Sequence, residues 1–423
     1  MVLRLVALLF GVFVFASAFP SAAQDTIYVR TSCQGAPTPC YTSVYGATIW
    51  AKNRSTGPPA ADAPLLIDIG PGEYLFAVCD GFGNTTLRGA GTESSGGSYT
   101  KIWTGGQFNY ALSGANCENV TFQKMTIGDA ADLYSLAWQA AGDTIWEDVE
   151  LQGRNWTWYD ACTNNNKAIH YFFDSTSITF ALGSEGVRVA CSELWWYGGG
   201  IRVVSDASQP PVDASLTAVL VTGNGDFRLI GSKIHVVANW GPATSLGNVI
   251  GVRVQRSGGE DASVFGPVDP NFPSGHGVFH MHGSTLSVDA MTMSNTEVVG
   301  INTSEDAHAH TPGATFELVP PASGDGYATR ISVDHQLGGH ADSPYTWPAG
   351  TRPPTGLAET NNFASHHGYD LWTETDCDAL GRCPGPLSST ESHLMIYEPN
   401  LCTAAGNPWL DSKTGRCRNN PGP

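Results

Sequence analysis

Hydrophobic and polar positions alternate over short runs along most of this chain, and the runs return at a nearly even spacing. Between Ile201 and Val333 a unit of apolar, any, apolar residues occurs six times: Ile201-Arg202-Val203, Phe227-Arg228-Leu229, Val252-Arg253-Val254, Phe279-His280-Met281, Ala307-His308-Ala309 and Ile331-Ser332-Val333. Alternation with period two puts the flanking side chains on one face of a strand and the middle one on the other. With middle residues about 26 positions apart, the pattern predicts a solenoid with one such unit per coil, coils stacking at about 4.8 Å. Stacking would then align Arg202, Arg228, Arg253, His280, His308 and Ser332 in one outward column.

Upstream the signature is fuller. Val120-x-Phe122-x-x-Met125-x-Ile127 and Thr144-x-Trp146-x-x-Val149-x-Leu151 describe two strands joined by a tight corner, the second copy following the first after one coil. Val44 to Lys52 predicts a short helix over the first coil, because an open solenoid end would expose both core and strand edge. Residues 155–174, rich in aromatics, break the rhythm and read as a long loop or an enlarged coil. Residues 257–274 and 312–325 read as Gly/Pro-rich insertions on one side of the solenoid.

Composition narrows the class. The 423 residues hold 49 glycines and 26 prolines and are only 14% charged, which suits many short strands joined by turns. The expected fold is all-β: a right-handed parallel β-helix over residues 24–345, with a helical cap at its N-terminal end. Residues 346–423, with four cysteines and few apolar positions, are expected to form an irregular disulfide-pinned extension. Residues 1–23 carry one early cation, an apolar run from Leu5 to Phe15 and small residues at Ser21-Ala22-Ala23, the marks of a cleaved secretory signal. No later stretch is apolar enough to cross a membrane. Ten cysteines fit an oxidising, extracellular or periplasmic location. Their order suggests local pairs, Cys33 with Cys40, Cys79 with Cys117, Cys162 with Cys191, Cys377 with Cys383 and Cys402 with Cys417, although spacing alone does not fix connectivity. A formal charge of −18 makes nucleic acid a poor partner.

Residues Thr26 to Val29, the helical stretch Val44 to Ala51, Ile67-Asp-Ile-Gly-Pro-Gly-Glu-Tyr74, Thr86-Leu-Arg-Gly-Ala-Gly91 and Lys101-Ile-Trp103 resemble the opening of pectin methylesterase-type proteins, within the pectate-lyase-like β-helix superfamily. The resemblance is confined to the first part of the chain, through Trp103, and implies an architecture. The glutamine, paired-aspartate and arginine-tryptophan motifs of the esterases have no counterpart here, so their catalytic residues do not carry over. What the resemblance implies is binding of acidic polysaccharide along an outer sheet.

Three groups of residues could carry chemistry. Arginine grips carboxylates bidentately, so Arg202 and Arg228 are candidate uronate-binding residues, alongside Trp156 and Trp158, with Trp195, Trp196 and Tyr197, as aromatics that could stack on sugar rings or cap the core. A neutral imidazole beside an arginine could abstract the proton alpha to a uronate carboxyl, which makes Arg253, His280 and His308 the candidate catalytic set of a polysaccharide lyase. His282 and His310, each two residues from another histidine, are candidate ligands for calcium or another divalent metal. The other reading of the same chain is a non-catalytic surface or appendage protein in which the β-helix is a rigid adhesive rod.

Overall fold

The computed structural model describes residues 25–333 apart from several connections, the longest being 206–214 and 256–276, and adds the short strands His393–Tyr397, Trp409–Asp411 and Arg416–Arg418. Every pairing among strands between residues 25 and 333 is parallel, and each coil runs over three faces. Face 1 includes Ile169–Phe173, Glu193–Tyr197, Asp226–Ile230 and Val278–His282. Face 2 includes Thr176–Ala181, Gly200–Ser205, Lys233–Val237 and Thr285–Asp289. Face 3, a separate nine-stranded sheet, includes Tyr110–Ala115, Tyr134–Gln139, Trp158–Ala161, Glu185–Val189, Ser215–Val221, Asn248–Val254 and Glu297–Thr303. Parallel crossovers of this kind take the right-handed sense, which follows from strand twist.

The fuller signature meets its register. Val120, Phe122, Met125 and Ile127 stand against Thr144, Trp146, Val149 and Leu151. Between faces 1 and 2 the chain turns at a tight corner. That turn needs a left-handed backbone, supplied by Lys124, Asp148 and Asp174 at φ near +50° and in later coils by Gly231 and Gly283. The serine after it is turned inward and satisfies the bent backbone: Ser175 Oγ accepts from Val149 N at 3.1 Å and donates to Trp146 O at 3.2 Å. Ser284 does the same for Ser232 N and Leu229 O.

Inward residues stack coil upon coil. Phe122, Trp146, Phe172 and Trp196 form one continuous ring column with centroids 4.1 to 5.4 Å apart. The helix Val44–Asn53 lays Val44, Ala47, Thr48 and Ala51 on the first coils, as the apolar spacing predicted.

Several expectations need correction. Of the two readings of residues 155–174 the enlarged coil holds and the long loop does not, since Trp158–Ala161 and Ile169–Phe173 are regular strands of faces 3 and 1. Within 312–325 lies the face 2 strand Thr315–Val319. His393–Tyr397, in the stretch expected to be irregular, pairs parallel to His308–His310 and carries two antiparallel strands. The signal segment and the 345/346 boundary lie outside the described residues.

Candidate functional site: two outer faces

The expected single column breaks into three. Arg202 is on face 2, beside Ile178 and His235. Arg228 and His280 are register partners on face 1. Arg253 and Ser332 are on face 3, on either side of Asn302. His308 stands against Val278, so it is His310 that continues the Arg228–His280 line. The recurring interval between the units corresponds to no fixed step. Arg202 to Arg228, Arg228 to Arg253 and His308 to Ser332 each pass over one face, Arg253 to His280 reaches the next face, and His280 to His308 is nearly a whole turn. In the enlarged coils one full turn carries the chain from Trp195 to Arg228 and the next from Arg228 to His280. Arg253 therefore shares no face with His280 and His308, and the three do not assemble into one catalytic set.

Face 3 is bordered by the long connections. Residues 162–167, 182–184, 206–214, 242–247, 256–276 and 304–307 all lead into or out of it, whereas from Lys124 to Gly283 the corner between faces 1 and 2 stays short; the earlier corner 89–99, which carries the turn Glu93–Ser95, is the exception. Outward positions on a sheet are buried only when something lies over them, and here they are: Arg188 is 5% exposed, Leu220 2%, and Tyr159, Thr217, Ile250 and Val299 are buried too. At one end Tyr110, Tyr134, Trp156 and Tyr159 form a stacked series with centroids 5.4, 4.9 and 4.5 Å apart. Arg188 continues it, with its guanidinium 5.6 Å from the Tyr159 ring centroid and Nη1 3.6 Å from Glu185 Oε2. Burial raises the Tyr110 hydroxyl above the usual phenol range.

Arg253 lies three strands beyond Tyr159, at about 14 Å by strand spacing. It is half-buried, its Nε is shut off from solvent, and it meets neither a hydrogen-bond partner nor a carboxylate among the described residues. Asn248 Oδ1, on the same strand, is likewise buried without a partner among them. Trp158, in contrast, is a core residue: fully buried, it packs edge-on against Trp146 at 5.7 Å and Phe172 at 5.3 Å. Of the two readings for these aromatics the core one holds for Trp158, and Trp156, which precedes the strand, is not related to it by period-two alternation.

Face 1 is open. Ile145 and Phe173 project outward with 37% and 38% exposure. Tyr171, Phe173, Trp195 and Tyr197 make a two-by-two grid, neighbouring centroids 5.3 to 6.3 Å apart. Arg228 stacks on Trp195, its Cζ 4.2 Å from the ring centroid. Asp226 holds that guanidinium bidentately at 2.8 and 3.2 Å, and Glu193 adds a carboxylate at 3.7 Å. Hydrogen bonding to Asp226 raises the Arg228 pKa further, so its charge is permanent and already neutralised. His280 Nε2 is 3.9 Å from Asp226 Oδ1, and its ring lies along His282 at 5.9 Å. Burial, above all, lowers both imidazoles below the ordinary histidine range, with Arg228 reinforcing it.

Asp226 was missed by reading for bases alone, and Glu193, one of the acids flanking the aromatic stretch, was not connected with Arg228. Their signal was the alternation Asp226-Phe-Arg228 and Glu193-Leu-Trp195-Trp-Tyr197, which puts acid, cation and rings on one side of neighbouring strands. Among the described residues no three metal-ligating side chains converge. His282 stands against Ile230 rather than a second histidine, and the His310 side chain is outside the described set. Disulfides join Cys33 to Cys40 and Cys79 to Cys117, as spacing suggested. The side chains of Cys162, Cys191, Cys377, Cys383, Cys402 and Cys417 are not among those described.

Faces of parallel strands, a helical cap and a short left-handed corner define the chain as a right-handed parallel β-helix. Solved structures similar to it include a pectin methylesterase point mutant in complex with a hexasaccharide (14% identity, 66% of this chain and 80% of that one, TM-score 0.37) and pectin methylesterase PemA from Erwinia chrysanthemi (12%, 68% and 89%, 0.39). The A-module of mannuronan C-5 epimerase AlgE6 from Azotobacter vinelandii is similar at 12% identity, over 68% and 93%, with a TM-score of 0.24. At such values the likeness is one of chain course and says nothing of activity. No family model and no curated protein matches the sequence.

Proposed function

We propose that this is a secreted polysaccharide-binding β-helix protein whose face 3 takes an acidic sugar chain, with Arg253 gripping a uronate carboxylate. The supporting observation is the state of Arg253. Among the described residues no carboxylate stands beside this half-buried guanidinium; such a group is unfavourable, and an incoming carboxylate would relieve it with paired hydrogen bonds. Trp156, held between Tyr134 and Tyr159, offers an apolar edge to a sugar about three coils away, so one extended chain of a few sugars reaches both. Arg188 is a weaker candidate because Glu185 already stands beside it. Arg202, exposed on face 2, has no part in this site, and a histidine acting on a sugar bound at Arg253 is not part of the proposal.

Retention on immobilised polygalacturonate tests it. Arg253→Ala weakens retention severalfold and Arg253→Lys weakens it less, while Arg202→Ala leaves it unchanged. Equal retention of wild type and Arg253→Ala overturns the reading. Ultraviolet absorbance of unsaturated uronates, measured on pectate, alginate and glycosaminoglycans with and without calcium, reports separately whether bound polymer is cleaved.

A further inference from the structure

Face 1 presents a second surface whose chemistry differs from that of the groove. Ile145, Tyr171, Phe173, Trp195 and Tyr197 form a contiguous apolar and aromatic patch on a rigid sheet, and soluble proteins seldom leave such a patch exposed without an occupant. Its charge selects the occupant. Across the grid Glu147, Glu193 and Asp226 face one guanidinium, Arg228, and both histidines lean to the neutral form, so the patch repels polyanions. Its geometry selects too. The rings repeat from coil to coil in two parallel columns, Tyr171–Trp195 and Phe173–Tyr197, and a straight periodic array matches a straight periodic ligand. Phenol hydroxyls and the carboxylates of Glu147 and Glu193, whose remaining lone pairs can accept further bonds beside those from Gln123 and Trp195, are hydrogen-bonding partners for hydroxyl groups, while ring carbons suit the apolar C–H positions of a pyranose.

We propose that face 1 is a binding platform for an uncharged, hydroxyl-rich polysaccharide chain lying along the solenoid axis, independent of the face 3 groove. A protein carrying both surfaces would hold a neutral polymer on one side while engaging an acidic one on the other.

Affinity electrophoresis of the full chain in native gels containing unbranched β-1,4-glucan, β-1,4-mannan or polygalacturonate tests this. The wild type is retarded by at least one of the neutral polymers. Trp195→Ala/Tyr197→Ala reduces that retardation at least fivefold and leaves polygalacturonate retardation unchanged, whereas Arg253→Ala does the reverse if the groove reading also holds. Thermal melting of the double variant within a few degrees of wild type establishes that the outward rings were not holding the fold. If melting falls further, Phe173→Ser, which removes the most exposed ring alone, serves in its place and is expected to reduce retardation about threefold. The proposal is overturned if neither neutral polymer retards the wild type, or if retardation is insensitive to these variants. It is overturned equally if sedimentation shows a wild-type dimer that the double variant dissolves, since the patch would then be a contact between copies of the chain.

Discussion

Faces 1 and 3 hang from the same stacked coils, yet one lies open and the other is covered. Beneath face 1 the ring column Phe122–Trp146–Phe172–Trp196 supplies the inward packing, so its outer residues are free to serve solvent or ligand. On face 3 much of the outer side is buried as well: Val187, Val219 and Val252 point in, and Arg188, Leu220 and Ile250 point out yet are almost inaccessible, with Arg253 half-buried among them. The difference lies in the connections. A corner closed by one left-handed residue and a buried serine has no chain to spare, while the longest insertions, 206–214 and 256–276, fall at the borders of face 3; the corner 89–99 of an early coil, which lacks that closure, is the exception. Evolution of new recognition in such a scaffold is therefore concentrated where loops can grow.

The largest expected effect probes the interior the two faces share. His170 is fully buried, bonded to Thr144 at 2.7 Å and edge-on to Trp158 at 5.0 Å, and burial lowers its pKa to about 3. A neutral imidazole is thus favoured by the fold, and the sign follows: its contribution is fully present above pH 6.5 and is lost as pH falls toward 3. Each unit of that window costs about 1.4 kcal/mol. Urea unfolding at pH 7, 5.5 and 4.5 should show wild-type stability falling and His170→Leu losing less over the same range. Parallel curves would mean that the region between the faces is wet.

A paired substitution addresses the faces directly. Ile250→Asp sets an unpaired carboxylate between Thr217 and Val299 on the covered side of face 3 and should cost about 3–5 kcal/mol. Ile145→Asp sets the same group on open face 1 and should change stability by less than about 0.5 kcal/mol. Chemical denaturation midpoints measure both, and similar losses would erase the distinction between an open and a covered face.

Much of the fold could be read from the chain, and the reasons are local. The signature around the corner is fixed by side-chain alternation and one left-handed residue, so Val120 to Ile127 gave the register with Val149 and its neighbours directly. The helical cap and two disulfides followed from equally short-range patterns. The placement of Arg202, Arg228 and Arg253 was not readable, because all three faces alternate with period two. A step between faces within an enlarged coil, such as Arg228 to Arg253, imitates a whole turn of a compact coil, such as Phe122 to Trp146. Only knowledge of where the insertions fall separates the two. The state of each arginine is a further layer. Asp226 two residues before Arg228 was a visible cue to a neutralised cation, while nothing in the sequence around Arg253 announces that no acid among the described residues approaches it.

The smallest effect sharpens the charge contrast. Asp226→Asn removes one of the two carboxylates beside Arg228 and keeps a hydrogen-bond acceptor in place. The pair is about a third exposed on the arginine side, so its loss should cost no more than about 1 kcal/mol. Freed of one counter-ion, Arg228 should give face 1 a weak affinity for polyanions, seen as up to a twofold rise in retardation by polygalacturonate at low salt that disappears near about 0.5 M salt. An Arg253→Ala/Asp226→Asn combination removes the groove contribution and isolates this gain. If the combined variant shows none, Asp226 is not what keeps face 1 from binding acidic polymer, and Glu147 and Glu193 become the residues to neutralise next.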